Sequence, residues 1–300
     1  MEPWILLSVT AAAFQTLRFM LQKSLSMGPL SAGGATFARF FYSAPAALGL
    51  AAGYLAWCGQ AVPALSGAFW AFALSGGLAQ ILATWCVVLL FAQRNFAVGI
   101  TFKKTEVIQT ALVGFLVLGD RVSLAGMAAI LAGLWGVVVL SDTPALPGGR
   151  LRRLFNRAAG LGLASGALFA VSAVAYRGAT LEVGSDDAFL RAAVSVSAVT
   201  LAQSLAMAGW LAWREPGQLA RVWQARRRAV WIGITSLGGS VSWFTAFTLQ
   251  NAAYVFAVGQ VEVVLSLLAS VLVFRERVTR RELGGIALLT ASILLLVLAG

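Results

Sequence analysis

The chain has 300 residues, of which 60% are hydrophobic and 11% charged. A soluble domain carries roughly 25% charge, so this balance, with a mean hydropathy of +0.86, excludes a separate soluble domain and reads as an integral membrane protein. The formal charge of +11 lies at the ends of apolar segments, which fits positive-inside anchoring rather than nucleic-acid binding.

The chain opens Met1-Glu2-Pro3-Trp4, without the positive charge that begins a signal peptide. The first apolar run is therefore expected to stay as a helix. About ten spans follow, each near the ~20 residues that cross a bilayer. They cover 3–23, 31–57, 67–92, 96–118, 123–141, 158–178, 187–213, 228–250, 253–274 and 281–299. The longest polar stretch, Asp142 to Arg157, contains Pro144, Pro147, Gly148 and Gly149. It divides the chain into residues 1–141, a linker at 142–157, and residues 158–300, with five spans on each side.

The two parts share sequence. Phe91 to Leu140 reads again from Phe247 to Leu296 without a gap, so that Asn95 meets Asn251, Glu106 meets Glu262, Asp120 meets Glu276 and Arg121 meets Arg277. Five is odd, so the second part enters the membrane in the opposite sense, which gives an inverted repeat. Fainter echoes pair Arg39 with Arg191, Trp70 with Trp231, and Gly76-Gly77 with Gly238-Gly239. The glycines are expected to serve close helix packing. Basic residues crowd the connections after the odd-numbered spans, including Arg150, Arg152, Arg153, Arg157, Arg214, Arg221, Arg226, Arg227 and Arg228, whereas the even ones hold Arg121 and Arg177. By charge bias the odd connections are cytoplasmic and both termini lie outside.

On these residues the chain resembles the EamA-like branch of the drug/metabolite transporter superfamily. The resemblance implies an all-α fold of ten transmembrane helices built as two inverted five-helix repeats. It also implies a glutamate in each fourth helix and an acidic residue fourteen positions later. Glu106 with Asp120, and Glu262 with Glu276, match that pattern. The sequence departs from the family where a proline often follows the glutamate: Val107 and Val263 stand there. It departs again in the uncharged segment Gly59 to Ser66, where many members are basic.

Charges at membrane depth are costly and usually face a cavity or a partner. This singles out Lys103, Lys104, Glu106 and Glu262. Lys103, Glu106 and Thr110 share one helical face, and Glu262 shares the matching face with Ser266. Lys103 and Glu106 either form an i, i+3 ion pair or divide labour, the lysine holding a carboxylate or phosphate and the glutamate taking protons or an ammonium group. Gly259 and Gln260 stand where the first repeat has its lysines, so Glu262 is expected without a neighbouring cation unless Arg18, Arg39 or Arg191 reaches it. A carboxyl in that position is costly to ionise, which makes Glu262, with Glu106, the candidate proton-coupling group. Arg18, Arg39 and Arg191 are expected to snorkel to the interface. Gln15 and Gln260 are the candidate polar pocket contacts, and Gln22, Gln109 and Gln203 suit interhelical hydrogen bonding. Trp85, Trp243 and Tyr254 could line a cavity or simply pack. Trp4, Trp57, Trp70, Trp210, Trp213 and Trp231 lie near span ends and suit an interfacial belt.

No phosphate-binding loop of the G-x-x-x-x-G-K-[ST] kind is present. Cys58 and Cys86 lack metal spacing, and without histidine no His-based triad can be assembled. Asp186-Asp187 is expected to be a solvated turn. The expectation is a carrier with no catalytic, metal or cofactor site, most simply a monomer in the inner membrane, in contact with lipids and a small-molecule substrate. Other classes of function are a lipid or lipid-linked metabolite flippase and a non-transporting membrane subunit.

Overall fold

Helix boundaries follow the capping chemistry. The computed structural model describes residues 2–92, 102–141, 157–265 and 280–299. Among these are eleven helices: α1 Pro3–Ser26, α2 Ala32–Cys58, α3 Gly67–Phe91, α4 Glu106–Leu118, α5 Leu124–Ser141, α6 Arg157–Leu181, α7 Ala188–Arg214, α8 Gln218–Gln224, α9 Arg226–Leu249, α10 Ala252–Gly259 and α11 Arg280–Ala299. The Ser31 and Ser66 hydroxyls accept from the Gly34 and Phe69 amides at 2.9 Å, opening α2 and α3. Asp187 opens α7 by accepting from the amides of Phe189 and Leu190; it is thus a cap as well as a turn residue. Asn251 opens α10 in the same way, through Ala253. Its repeat partner Asn95 lies outside the described residues, as do Glu276 and Ser266. Gly119, at φ +70°, closes α4 in the left-handed conformation that glycine adopts without strain.

Five helices, α1, α3, α6, α7 and α9, are long and apolar enough to cross a bilayer. Leu6, Leu17, Leu74, Leu78, Leu112 and Leu116 point outward, an apolar surface that water does not tolerate at this extent. Inside, glycines let backbones close on bulky neighbours. A Cβ at Gly76 would meet the Tyr176 ring at 2.9 Å, one at Gly178 the Phe72 ring at 2.8 Å, and one at Gly238 the Phe14 ring at 2.7 Å. Packing therefore accounts for Gly76 and Gly238.

Helix partners come in exchangeable sets. α1 packs on α9 as α6 packs on α3, and α1 touches α10 as α6 touches α4. α2 meets α7, α4 meets α10, and α5 meets α11.

Two expectations need correction. Residues 96–118 and 253–274 were each expected to be one continuous span. Instead a turn at Lys104 and Thr105 precedes α4, and a turn at Gln260 separates α10 from the helical residues 261–265. These breaks occupy aligned positions of the repeat. The second correction is α8, a short helix inside the expected connection between spans seven and eight. Its neighbourhood is pinned to the start of α2: the Glu215 carboxylate accepts from the Ser31 hydroxyl, and the Tyr42 hydroxyl donates to Val222 O at 3.0 Å.

Candidate functional site

The charged centre forms where the two helix breaks meet α1. The turn before α4 carries Lys103 and Lys104, which are 1% and 2% exposed. Burial this deep requires a partner, and each lysine has one. Lys103 Nζ lies 3.0 and 2.9 Å from the two carboxylate oxygens of Glu106. Lys104 Nζ lies 2.8 Å from Glu262 Oε2. Gln15 of α1 donates to the same oxygen at 3.0 Å. The expectation that Glu262 lacks a neighbouring cation is therefore wrong: the cation comes from the other half of the chain, and it is Lys104 rather than an arginine. Glu106 sits in the first turn of α4, where the amide dipoles also favour a negative charge. Gly166 of α6 makes room for this turn; a Cβ there would stand 2.9 Å from Lys103 O.

Arg18 and Arg39 are buried, at 2% and 4% exposure, which corrects the snorkelling expectation for both. Gln15, Arg18 and Gln22 share one face of α1 by i, i+3, i+7 spacing. Arg18 donates to Gln22 Oε1 at 2.8 Å, and Gln22 passes the link to Ala35 O. Arg39 donates through Nε to Ser236 of α9 at 3.0 Å and through Nη1 to Thr84 of α3 at 2.7 Å, joining three helices. Arg191 differs: it sits in the first turn of α7 and donates to Val183 O and Leu181 O. The register match of Arg39 and Arg191 therefore does not carry a shared role.

Between these groups lies a cavity of about 20 Å³ whose lining includes Gln15, Arg39, Tyr176, Trp243, Phe247 and Phe256. That volume holds about one water molecule. Trp243 stacks on Phe247 and meets Phe256 edge-on. Trp85, in contrast, packs edge-on against Trp210, away from this lining. The Tyr254 hydroxyl accepts from the Ser123 amide at 3.0 Å, at the start of α5, and is also outside the lining. Gln260 is buried at the second break, where its Nε2 reaches Phe256 O at 3.4 Å and its Oε1 has no hydrogen bond among the described residues. Gln203 does join helices: its amide reaches Gly77 O, Gln80 and Tyr176. Of the expected belt tryptophans, Trp57, Trp213 and Trp231 are exposed, whereas Trp4 is buried.

Sequence reasoning missed the core position of Arg39 and Arg18. The signal was depth. Arg39 stands seven residues inside α2 and Arg18 eight residues before the end of α1, about 10 Å from a helix end at 1.5 Å per residue. Arg191 is three residues from its end and stays near the surface.

Residues 156–298 match the EamA-like transporter family. A solved structure described only as "Crystal structure of protein" superposes with a TM-score of 0.67, covering 97% of this chain and 99% of that one at 18% identity. At that identity the likeness speaks for the fold alone. No curated protein matches the chain.

Proposed function

Because the chain belongs to the EamA-like transporter family, matched over its second half, we propose that it is a secondary active carrier of a small metabolite, working by alternating access between two inverted five-span halves. Membership makes it a membrane transporter of the drug/metabolite type. The finer reading is that the cargo is an amino acid or an organic anion, that movement is outward, and that the cytoplasmic membrane is its site. The exchangeable packing of α1 with α9 and of α6 with α3 supports ten spans in two related halves. One chain then contains the whole pathway, so a monomer suffices.

One observation carries the reading: the two helix breaks, in aligned register, each lie beside a glutamate paired with a lysine, and Lys104 joins one break to Glu262 of the other at 2.8 Å. Broken helices near the membrane midplane are where repeat transporters build their solute and ion sites. The chemistry follows from the pairing. A proton added to Glu262 cancels its charge and releases Lys104, so protonation and separation of the halves become one event. Glu106, held by Lys103, is the equivalent group of the first half.

The test is uptake or counterflow in proteoliposomes across a range of pH. Replacing Glu262 with Gln is expected to remove the pH dependence while the protein still inserts. A variant with unchanged pH dependence would sink the proton-coupling role.

A further inference from the structure

The buried charges do not balance. Among the described residues the centre holds four cations, Arg18, Arg39, Lys103 and Lys104, and two carboxylates, Glu106 and Glu262. Both carboxylates are engaged by lysines. The arginines have only neutral hydrogen-bond acceptors among the described residues: Ser236 and Thr84 for Arg39, Gln22 and Gln15 for Arg18. Arg18 is also repelled by Arg39 and attracted less strongly by Glu262. Two like charges in a dry interior that outnumber the carboxylates beside them are costly, and an added anion would offset that cost.

The cavity specifies what kind of anion. Arg39 lines it, and Arg39 Nη2 makes no hydrogen bond to a described residue. A guanidinium offers a planar fork that matches a carboxylate. The same lining holds flat rings, with Trp243 stacked on Phe247 at 5.7 Å between centroids and Phe256 near right angles to both. Such a wall takes a flat apolar body by stacking or edge contact.

We propose that Arg39, backed by Arg18, receives the anionic group of the transported solute while Trp243, Phe247 and Phe256 take its body, so that the cargo is a small aromatic organic acid. This rests on the carrier reading above. It moves the anion-binding role away from Lys103 and Lys104, whose charges are already met. The cavity, at about 20 Å³, is too small for such a solute in this conformation and admits it only when the halves part.

The experiment uses the full chain in proteoliposomes and in detergent with three labelled probes: phenylpyruvate, an aromatic anion; succinate, an aliphatic one; and benzyltrimethylammonium, an aromatic cation. Phenylpyruvate is expected to be taken up and to raise the melting temperature. Arg39→Gln is expected to raise its half-saturating concentration at least tenfold, with Arg39→Lys between. If Arg39→Gln does not fold, Arg39→Lys carries the test, since it keeps the charge and loses the fork; unchanged half-saturation in that variant overturns the proposal. Uptake of succinate alone overturns the aromatic body. Uptake of benzyltrimethylammonium alone overturns the role of Arg39 and leaves the carrier standing. If none of the three moves or binds, the aromatic-anion proposal falls, and counterflow of a mixed metabolite extract in the same vesicles then decides the carrier reading separately.

Discussion

At the scale of single residues, the centre is governed by which charges find partners. Removing one member of a buried pair leaves the other uncompensated and costs about 3–5 kcal/mol. Lys104→Met is therefore expected to lower the melting temperature sharply, because among the described residues Glu262 then keeps only Gln15 as a hydrogen-bond donor. Adding Glu262→Gln to that variant is expected to restore most of the loss, and a double-mutant cycle in detergent measures it. At the N-terminal cap of α7, just before the apolar helix begins, the hydrogen bond from Tyr54, at 2.6 Å, holds the Asp187 carboxyl below the usual carboxylate range, and the Leu190 and Phe189 amides add to this. A depressed carboxyl stabilises the fold above its unfolded pKa of about 3.9, and that contribution is lost as pH falls through the lower folded value. Tyr54→Phe should thus move the acid-unfolding midpoint to higher pH, which circular dichroism at graded pH can follow. The Lys103–Glu106 pair was legible in the sequence because i, i+3 spacing is local. The Lys104–Glu262 pair was not: the two lie 158 positions apart, a separation with no local spacing to read, and only folding brings them together.

At the scale of helices, the five long apolar helices were legible from apolar length, while the breaks were hidden. Neither turn is marked by proline, and Lys104-Thr105 differs from Gln260 in everything but register. What permits the first break is a neighbour: α6 approaches the turn only because position 166 has no side chain. A Cβ there would also lie 3.0 Å from Gln109 Oε1. Gly166→Ala is expected to destabilise by about 1–3 kcal/mol through overpacking, and to impair transport more than an alanine at Gly160, which has open space around it. Thermal unfolding and uptake on the same preparations separate the two effects. Helix α8 escaped the sequence reading because seven residues mixing Trp223 with Arg221 look like any charged connection. Its place is fixed instead by contacts with the start of α2.

At the scale of the whole molecule, charge asymmetry is the one global property that the fold leaves free. In the proposed arrangement, two related halves of opposite sense can insert either way, and loop arginines bias the outcome. With Arg221, Arg226, Arg227 and Arg228 on one side of the bundle, a C-terminal alkaline phosphatase fusion is expected to be active in a bacterial host and a C-terminal green fluorescent protein dark. A bright fluorescent fusion would reverse the orientation. The repeat was legible because Phe91 to Leu140 and Phe247 to Leu296 align without a gap. How the two copies meet was not, since the contact at the centre joins Lys104 to a residue of the other copy rather than to its own equivalent. In a carrier that works by rocking, that contact governs idling. Under the proposed mechanism the lysine's grip on the distant carboxylate acts as an interlock: it keeps the empty protein from swinging, suppresses slippage without cargo or proton, and so preserves the driving gradient.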